Sequence, residues 1–300
     1  MLVRMKLRLA LAQWPIGAPA DFDAFAARVS AEVAMAARAG AQFVVLPEYL
    51  ALELAATLPA ATRADVVATL AALQPAHVQW LELFSGLARR HGLHLLAGTF
   101  LLDQGNGRYR NRAWLFSPTG DSVFQDKMTL TGFEGGLGVV DAGDELRVFD
   151  CGFARVAINV CYDAEFPLYA RAQQQAGARL LLVPSCTDTE AGATRVRVGC
   201  MARALESRLF VAQSVTAGEA PDNPSLDVNT GFAAVYAPSD RGLPDDGVVA
   251  RAEPGRTWLL ADVDLATLDE TLQDAQVRVP VDWDEQYRPG VTRARVQRID

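Results

Sequence analysis

Three residues of different chemistry, each set where a strand is expected to end, mark this 300-residue chain. Cys161 follows Val156-Ala157-Ile158-Asn159-Val160 and precedes a helix whose expected first turn holds Pro167. A thiol at such a strand-to-helix junction is lifted out of the sheet plane and faces the positive end of a helix, which lowers its pKa. Glu48 comes directly after Phe43-Val44-Val45-Leu46-Pro47, at the carboxyl edge of a buried strand. Open sheets with helical crossovers form their ligand crevices outside that edge. Lys127, in Phe124-Gln125-Asp126-Lys127-Met128, lies where another strand gives way to a loop. Taken singly, each has an ordinary structural explanation, because most cysteines are buried and inert and charged residues at strand ends are usually solvated. Together they form a sufficient set: a thiol nucleophile, a carboxylate that burial can turn into a general base, and an ammonium for the oxyanion formed at a carbonyl.

Other chemistries find less support. His77, His91 and His94 fall within or just after one expected helix, far in sequence from Cys161, which disfavours a Cys-His pair. The four cysteines, Cys151, Cys161, Cys186 and Cys200, show neither C-x-x-C pairing nor a histidine at metal-ligand spacing. We therefore expect free thiols in a reducing compartment, no metal and no cofactor. Gly135-Gly136-Leu137-Gly138 lacks the strand–G-x-G-x-x-G–helix context of a nucleotide loop and reads as a flexible active-site loop.

Composition narrows the class of partner. A net charge of −8 offers no basic stripe for a phosphate backbone, so nucleic acid is not expected. Arg288, Arg293, Arg295 and Arg298 cluster near the C-terminus, but Asp282, Asp284, Glu285 and Asp300 interrupt or flank them, as in a solvated tail. Between Met1 and Gln13, Lys6 and Arg8 alternate with Leu7, Leu9 and Leu11, which is strand periodicity and not the apolar core of a signal peptide. No stretch is long enough to span a bilayer. The expectation is a soluble, cytoplasmic protein with no membrane partner.

The elements that must position these residues can be read in outline. Strands are expected at 6–13, 43–46, 93–101, 109–116, 121–125, 145–150, 154–160, 180–183, 209–215, 231–236, 247–250 and 257–262. Helices are expected at 22–37, at 59–90 with a break at Pro75, at 167–175 and at 194–207, with a short helix and tail after 264. The glycine-rich segment 128–144 and the polar segment 218–229 read as loops. Hairpins mixed with β-helix-β units imply a mixed sheet with helices on its outer faces. With no composition break and no repeat, residues 1–300 are expected to form a single domain with its core at about 5–263.

Three segments resemble, in order, the motifs of the nitrilase superfamily of carbon–nitrogen hydrolases. Leu46-Pro47-Glu48 is similar to its glutamate motif, Asp126-Lys127-Met128-Thr129-Leu130 to its lysine motif, and Asn159-Val160-Cys161-Tyr162-Asp163-Ala164-Glu165-Phe166-Pro167 to its cysteine motif. Leu11-Ala12-Gln13, Val183-Pro184-Ser185 and Ala202-Arg203-Ala204-Leu205-Glu206 resemble its framework stretches. The resemblance implies an α/β fold, a four-layer α-β-β-α sandwich with two mixed sheets, assembled as a homodimer or higher homo-oligomer through the helices after the cysteine. It implies a small-molecule amide-type substrate and catalysis by Glu48, Lys127 and Cys161 through a thioester, with Glu134 as a candidate second glutamate. Tyr162, through its backbone N–H, is the implied oxyanion donor; Tyr49 and Cys186 are candidate pocket residues beside it. Cys161-Tyr162-Asp163 resembles the amidase branches, whereas nitrile-hydrolysing members usually carry Cys-Trp-Glu. Nitrile and carbamoyl hydrolysis remain alternatives, as does a catalytically silent interaction protein. Where many amidases continue Arg-Phe-Pro-Glu, this chain has Glu165-Phe166-Pro167-Leu168, so no substrate is carried over. Arg203 and Glu206, three apart on a helix, read as a structural ion pair, and Arg171 as structural.

Overall fold

The computed structural model describes residues 6–291 and 293–299; residues 1–5, Thr292 and Asp300, including the expected start of the core at residue 5, lie outside the described residues. Thirteen strands among the described residues form one hydrogen-bonded sheet, nine of them along one path and four paired beside it. They are β1 (Lys6–Pro15), β2 (Phe43–Leu46), β3 (His94–Asp103), β4 (Tyr109–Phe116), β5 (Ser122–Asp126), β6 (Val148–Asp150), β7 (Arg155–Ile158), β8 (Leu180–Ser185), β9 (Phe210–Glu219), β10 (Val228–Asn229), β11 (Ala234–Tyr236), β12 (Val248–Arg251) and β13 (Trp258–Asp264). The helices are α1 (Phe22–Arg38), α2 (Ala60–Arg63), α3 (Val66–Leu73), α4 (His77–His91), α5 (Gly132–Gly136), α6 (Pro167–Gln175), α7 (Glu190–Ser207), α8 (Thr267–Glu270) and α9 (Val279–Asp282). The result is a mixed α/β fold with a large mixed sheet.

Strand β1 joins two wings. Its first part pairs in parallel with β2 and antiparallel with β13, while Gln13–Pro15 pair in parallel with β9. One wing runs β5-β4-β3-β2-β1, the other β9-β8-β7-β6, with β11 and β12 added beside β9. Side chains alternate across a strand, so β1 serves two apolar layers. Leu7, Leu9 and Leu11 join Val45, Leu96, Ile158 and Leu182 in one cluster; Ala10 and Ala12 face the other way. On that second face, Phe25, Val29 and Val33 of α1 and Trp80, Phe84 and Leu87 of α4 complete a second cluster. Each fully buried Val, Leu or Phe side chain contributes about 1.5–3 kcal/mol by leaving water. Asp21 caps α1 by accepting the Ala24 N–H, and Thr189 caps α7 through the Gly192 N–H.

Several expected elements differ in the structure. Residues 128–144 are not all loop: Thr131 and Glu134 form a capping box that starts α5 in spite of its glycines. Residues Leu50–Thr57 form a 3₁₀ helix that the sequence reading left unassigned. The strand expected at 145–150 shortens to Val148–Asp150, α7 begins at Glu190, and β9 continues to Glu219 into the expected loop. No helix among the described residues is long and apolar enough to cross a membrane.

The candidate site residues sit at or just beyond the carboxyl ends of four strands, drawn from both wings of the sheet. Glu48 is two residues beyond β2, Lys127 directly follows β5, Cys161 comes three residues after β7, and Cys186 directly follows β8. Glu48 is held from behind by Gly98, where β3 shifts register. Gly98 has φ +71°, and a Cβ there would overlap the Pro47 carbonyl oxygen. Beside it, the Tyr49 N–H donates to Thr99 Oγ1 at 2.9 Å. Replacement of Gly98 by alanine adds both left-handed strain and overlap. We expect Gly98→Ala to lower stability by roughly 2–4 kcal/mol in denaturant unfolding, with Gly92→Ala, which meets open space at similar φ, costing less.

Candidate active site

Glu48, Lys127, Glu134 and Cys161 converge on one buried cluster, with relative exposures of 1%, 1%, 0% and 4%. Lys127 Nζ donates to Glu48 Oε1 at 2.8 Å and to Glu134 Oε2 at 2.7 Å. Tyr49 joins them, its hydroxyl donating to Glu134 Oε1 at 2.7 Å. Cys186 contributes its backbone: its N–H donates to Glu48 Oε2 at 3.1 Å, and its carbonyl accepts from the Cys161 thiol at 3.4 Å. The Cys186 sulfur turns away toward Asn229 Oδ1, at 3.0 Å. Tyr162 lines the same cleft, its ring edge-on to Phe166 at 5.0 Å. All seven sequence-derived site residues except Glu134 line this cavity of about 360 Å³, and Glu134 lies beneath its floor, bonded to Lys127 and Tyr49.

Local backbone geometry explains the convergence. Cys161 and Tyr49 both adopt left-handed φ, 49° and 61°, so each chain turns sharply at the end of its strand. Such strain persists only where the surroundings over-determine it. At Cys161 the determinant is Asp163, which accepts the N–H groups of Val160, Met128 and Thr129 at 2.8–3.1 Å. One buried carboxyl group thus ties the cysteine turn to the segment that carries Lys127. Burial pushes the Asp163 carboxyl up to about 7, against the pull of those amides and Lys127. From the other side, Arg203 of α7 donates to the Ala164 carbonyl at 2.9 Å while facing Glu206 at 2.7 Å. The neighbouring Asp126 is clamped by Arg112 at 2.7 and 2.9 Å, which fixes the end of β5.

The electrostatics follow from dehydration. Burial raises the Glu48 pKa; Lys127 and a hydrogen bond with the Cys161 thiol offset only part of this. Burial also pushes the Cys161 thiol well up, and the Glu48 charge adds to it. The lowering expected from a following helix is therefore outweighed: Cys161 opens a short 3₁₀ turn, and its proton stays on sulfur at rest. Burial pulls the Lys127 ammonium down, but Glu48 and Glu134 overcome this and hold it well above its ordinary value. For Glu134, burial is outweighed by Lys127 and the Thr131 amide, leaving its pKa lowered.

Sequence reasoning missed Asn111. This β4 side chain is 1% exposed and its Nδ2 donates to both Glu48 Oε1 at 2.8 Å and Glu134 Oε1 at 2.9 Å. The available signal was a polar residue among inward positions, between Tyr109 and Ala113, of a strand whose other polar side chains alternate outward. None of the histidines lines the cleft: His77 packs on Phe100 and Trp114, and His94 on Phe43 and Phe153. Among the described residues, no group of three or more His, Cys, Asp or Glu side chains is arranged to hold a metal ion.

Such an arrangement defines a class of protein. Residues 8–273 match the family model described as carbon-nitrogen hydrolase. The chain belongs to that family, within the nitrilase superfamily of hydrolases acting on carbon–nitrogen bonds. It is 30% identical to a probable hydrolase, YhcX, of Bacillus subtilis (strain 168) over 273 residues, 91% of this chain but only 52% of that protein. Omega-amidase NIT2-B of Xenopus laevis is 26% identical over 215 residues, 66% of this chain and 71% of that one. The fold matches Nit3 of Saccharomyces cerevisiae, a member of branch 10 of the superfamily, with a TM-score of 0.72 at 20% identity, covering 91% and 95% of the two chains. An amidase from Nesterenkonia sp. gives 0.68 at 23% identity, covering 92% and 96%.

Removal of the amide shared by two carboxylates has a predictable sign. Asn111 favours the ionised form of Glu48, so Asn111→Leu raises the Glu48 pKa further. We expect alkylation of Cys161 by iodoacetamide to lose its Glu48 assistance at a higher pH in the variant than in the wild type. Mass-spectrometric labelling rates across roughly pH 4–9, which spans the ordinary carboxylate and thiol values, measure the displacement.

Proposed function

We propose that this protein hydrolyses a small linear amide to a carboxylic acid and ammonia or an amine, through a thioester on Cys161. The supporting observation is the Lys127 ammonium, which bonds to two buried carboxylates beside a buried thiol in a cleft that reaches solvent. Attack of sulfur on the carbonyl carbon passes the thiol proton to Glu48 as the C–S bond forms. The carbonyl oxygen becomes an oxyanion, stabilised by Lys127 and the Tyr162 N–H. Collapse breaks the C–N bond, and Glu48 returns the proton to the departing nitrogen. Water then attacks the thioester carbon and gives a proton to Glu48; the C–S bond breaks, the acid leaves, and Glu48 passes that proton to the sulfur, restoring the thiol. Glu134 remains ionised and holds Lys127 in place. The amide reading is favoured over nitrile by Tyr162 and Asp163 after the cysteine, and by kinship with an omega-amidase.

The same reading extends to architecture. The two apolar layers flanking the β1–β2–β3 wing support a single-domain α-β-β-α sandwich whose wings act as its two sheets. Leu168 of α6 and Val198 and Leu205 of α7 are exposed apolar side chains, 69%, 55% and 46%, which supports a homodimer or higher homo-oligomer through these helices. Free thiols at all four cysteines accord with a cytoplasmic location.

The test is ammonia release from a panel of short linear amides. Cys161→Ala should abolish release, and Lys127→Gln and Glu48→Gln should each lower kcat/KM by about 10²–10⁴. Release by Cys161→Ala at the wild-type rate refutes the reading. The pH profile has a fixed sign: Glu48 must be ionised to accept the thiol proton, and burial raises its pKa above the ordinary 4.5. kcat/KM should therefore fall on acidification through a midpoint above 4.5, and a midpoint at or below that value would assign the limb to another group.

A further inference from the structure

Helix α7 separates two cavities. Gly192, Arg195 and Val196 face the catalytic cleft, whereas Glu190, Ala193, Thr194 and Arg197 line a second cavity of about 440 Å³. Two guanidinium groups meet in that second cavity on one aromatic ring. Arg251, at the end of β12, has its Cζ 3.6 Å from the centroid of Phe232, and Arg197 lies 5.9 Å from the same ring. A ring face orients a guanidinium without neutralising it, leaving the N–H edges free. Among the described residues neither arginine lies within 4.0 Å of a carboxylate, in a chain with eight more acids than bases. The cavity's own acid, Glu190, accepts from the Thr230 hydroxyl at 2.6 Å and is not paired with either arginine.

Two buried polar atoms in the cavity wall lack partners. Arg197 Nε is a donor with no acceptor, and Gln13 Oε1 is an acceptor with no donor. Gln13 lines the cavity and is 8% exposed, and its Nε2 is already committed to the Glu253 carbonyl at 3.3 Å, which leaves Oε1 as its open valence. A buried orphan of either kind is destabilising until a partner arrives. One ligand chemistry answers all four features: an oxyanion for the two arginines that carries its own O–H for Gln13.

We infer that this cavity binds a small oxyanion bearing a hydroxyl, a phosphate or a hydroxycarboxylate, at a site separate from Cys161. Its anionic oxygens accept from Arg197 and Arg251, and its O–H donates to Gln13 Oε1. Charge-assisted bonds of this kind are the strong ones, and the planar donor forks of two guanidinium groups favour an oxyanion over a halide.

Isothermal titration calorimetry of the full chain with inorganic phosphate, with glycolate and with chloride tests the assignment. Saturable one-to-one binding of phosphate or glycolate is expected, and which of the two binds more tightly identifies the source of the oxyanion. Arg251→Gln, at an exposed position, should weaken that binding by ~10-fold or more without changing the unfolding midpoint. Gln13→Leu should weaken phosphate and glycolate binding and leave chloride unaffected. Cys161→Ala should bind as the wild type does, so the result is independent of the proposed hydrolysis. Absence of saturable binding, wild-type affinity in Arg251→Gln, or loss of binding in Cys161→Ala would each overturn the inference.

Discussion

Lys127 donates to Glu48 and to Glu134 at 2.8 and 2.7 Å, and all three side chains are almost wholly buried. Taking three charges out of water costs several kcal/mol per ion, and their attraction repays this only with good geometry and every remaining lone pair satisfied. The rest of the site can be read as the means of meeting that condition. Asn111 Nδ2 serves both carboxylates, the Cys186 N–H serves Glu48, and Tyr49 and Thr131 serve Glu134. These donors come from β4, the segment after β8, the turn after β2 and the start of α5. Both wings of the sheet must be in register before the charges are stable, so the site and the fold are specified together.

Rigidity at the sulfur arises from a different kind of bond. Cys161 is left-handed, a conformation unfavourable for a residue with a Cβ. Asp163 compensates by collecting amides from both sides of the cleft. The cysteine turn and the lysine segment are thereby one mechanical unit, although 34 residues separate Lys127 from Cys161. Arg203 adds a third anchor from α7, and its pairing with Glu206 accords with the structural role expected for both.

Much of this was legible because strand ends announce themselves. Strand-like segments stop at Pro47, Asp126 and Val160, and the next residues, Glu48, Lys127 and Cys161, are those that meet in the cluster. Glu134 was harder, because the glycines around it suggest loop, yet Thr131-Gly132-Phe133-Glu134 carries the spacing of a capping box. The propensity of single residues lost there to two reciprocal hydrogen bonds. Asn111 and Gly98 left weaker traces. An inward asparagine on a strand is recognisable as buried only once its neighbours are known, and the reason for Gly98 is the carbonyl of Pro47, some fifty residues away. Asp163 was quoted within a motif, but its backbone partners at Met128 and Thr129 are set by tertiary packing, which local sequence does not encode.

The two glutamates look alike in sequence and burial, and their hydrogen bonds set them apart. Glu134 receives Lys127, Tyr49, Asn111, the Thr131 amide and the Thr131 hydroxyl, so both oxygens are saturated and protonation would break bonds to several donors. Its pKa is lowered accordingly. Glu48 shares Lys127 and Asn111 on one oxygen and keeps on the other a single amide, with the Cys161 thiol beside it. Its pKa is raised, so a proton can arrive and leave at modest cost. Under the proposed mechanism, only the second environment suits a group that must take a proton from sulfur, give it to nitrogen and take another from water. The first suits a fixed counter-charge that keeps Lys127 cationic throughout. Two carboxylates on one ammonium thus acquire different tasks from the number of donors each one faces.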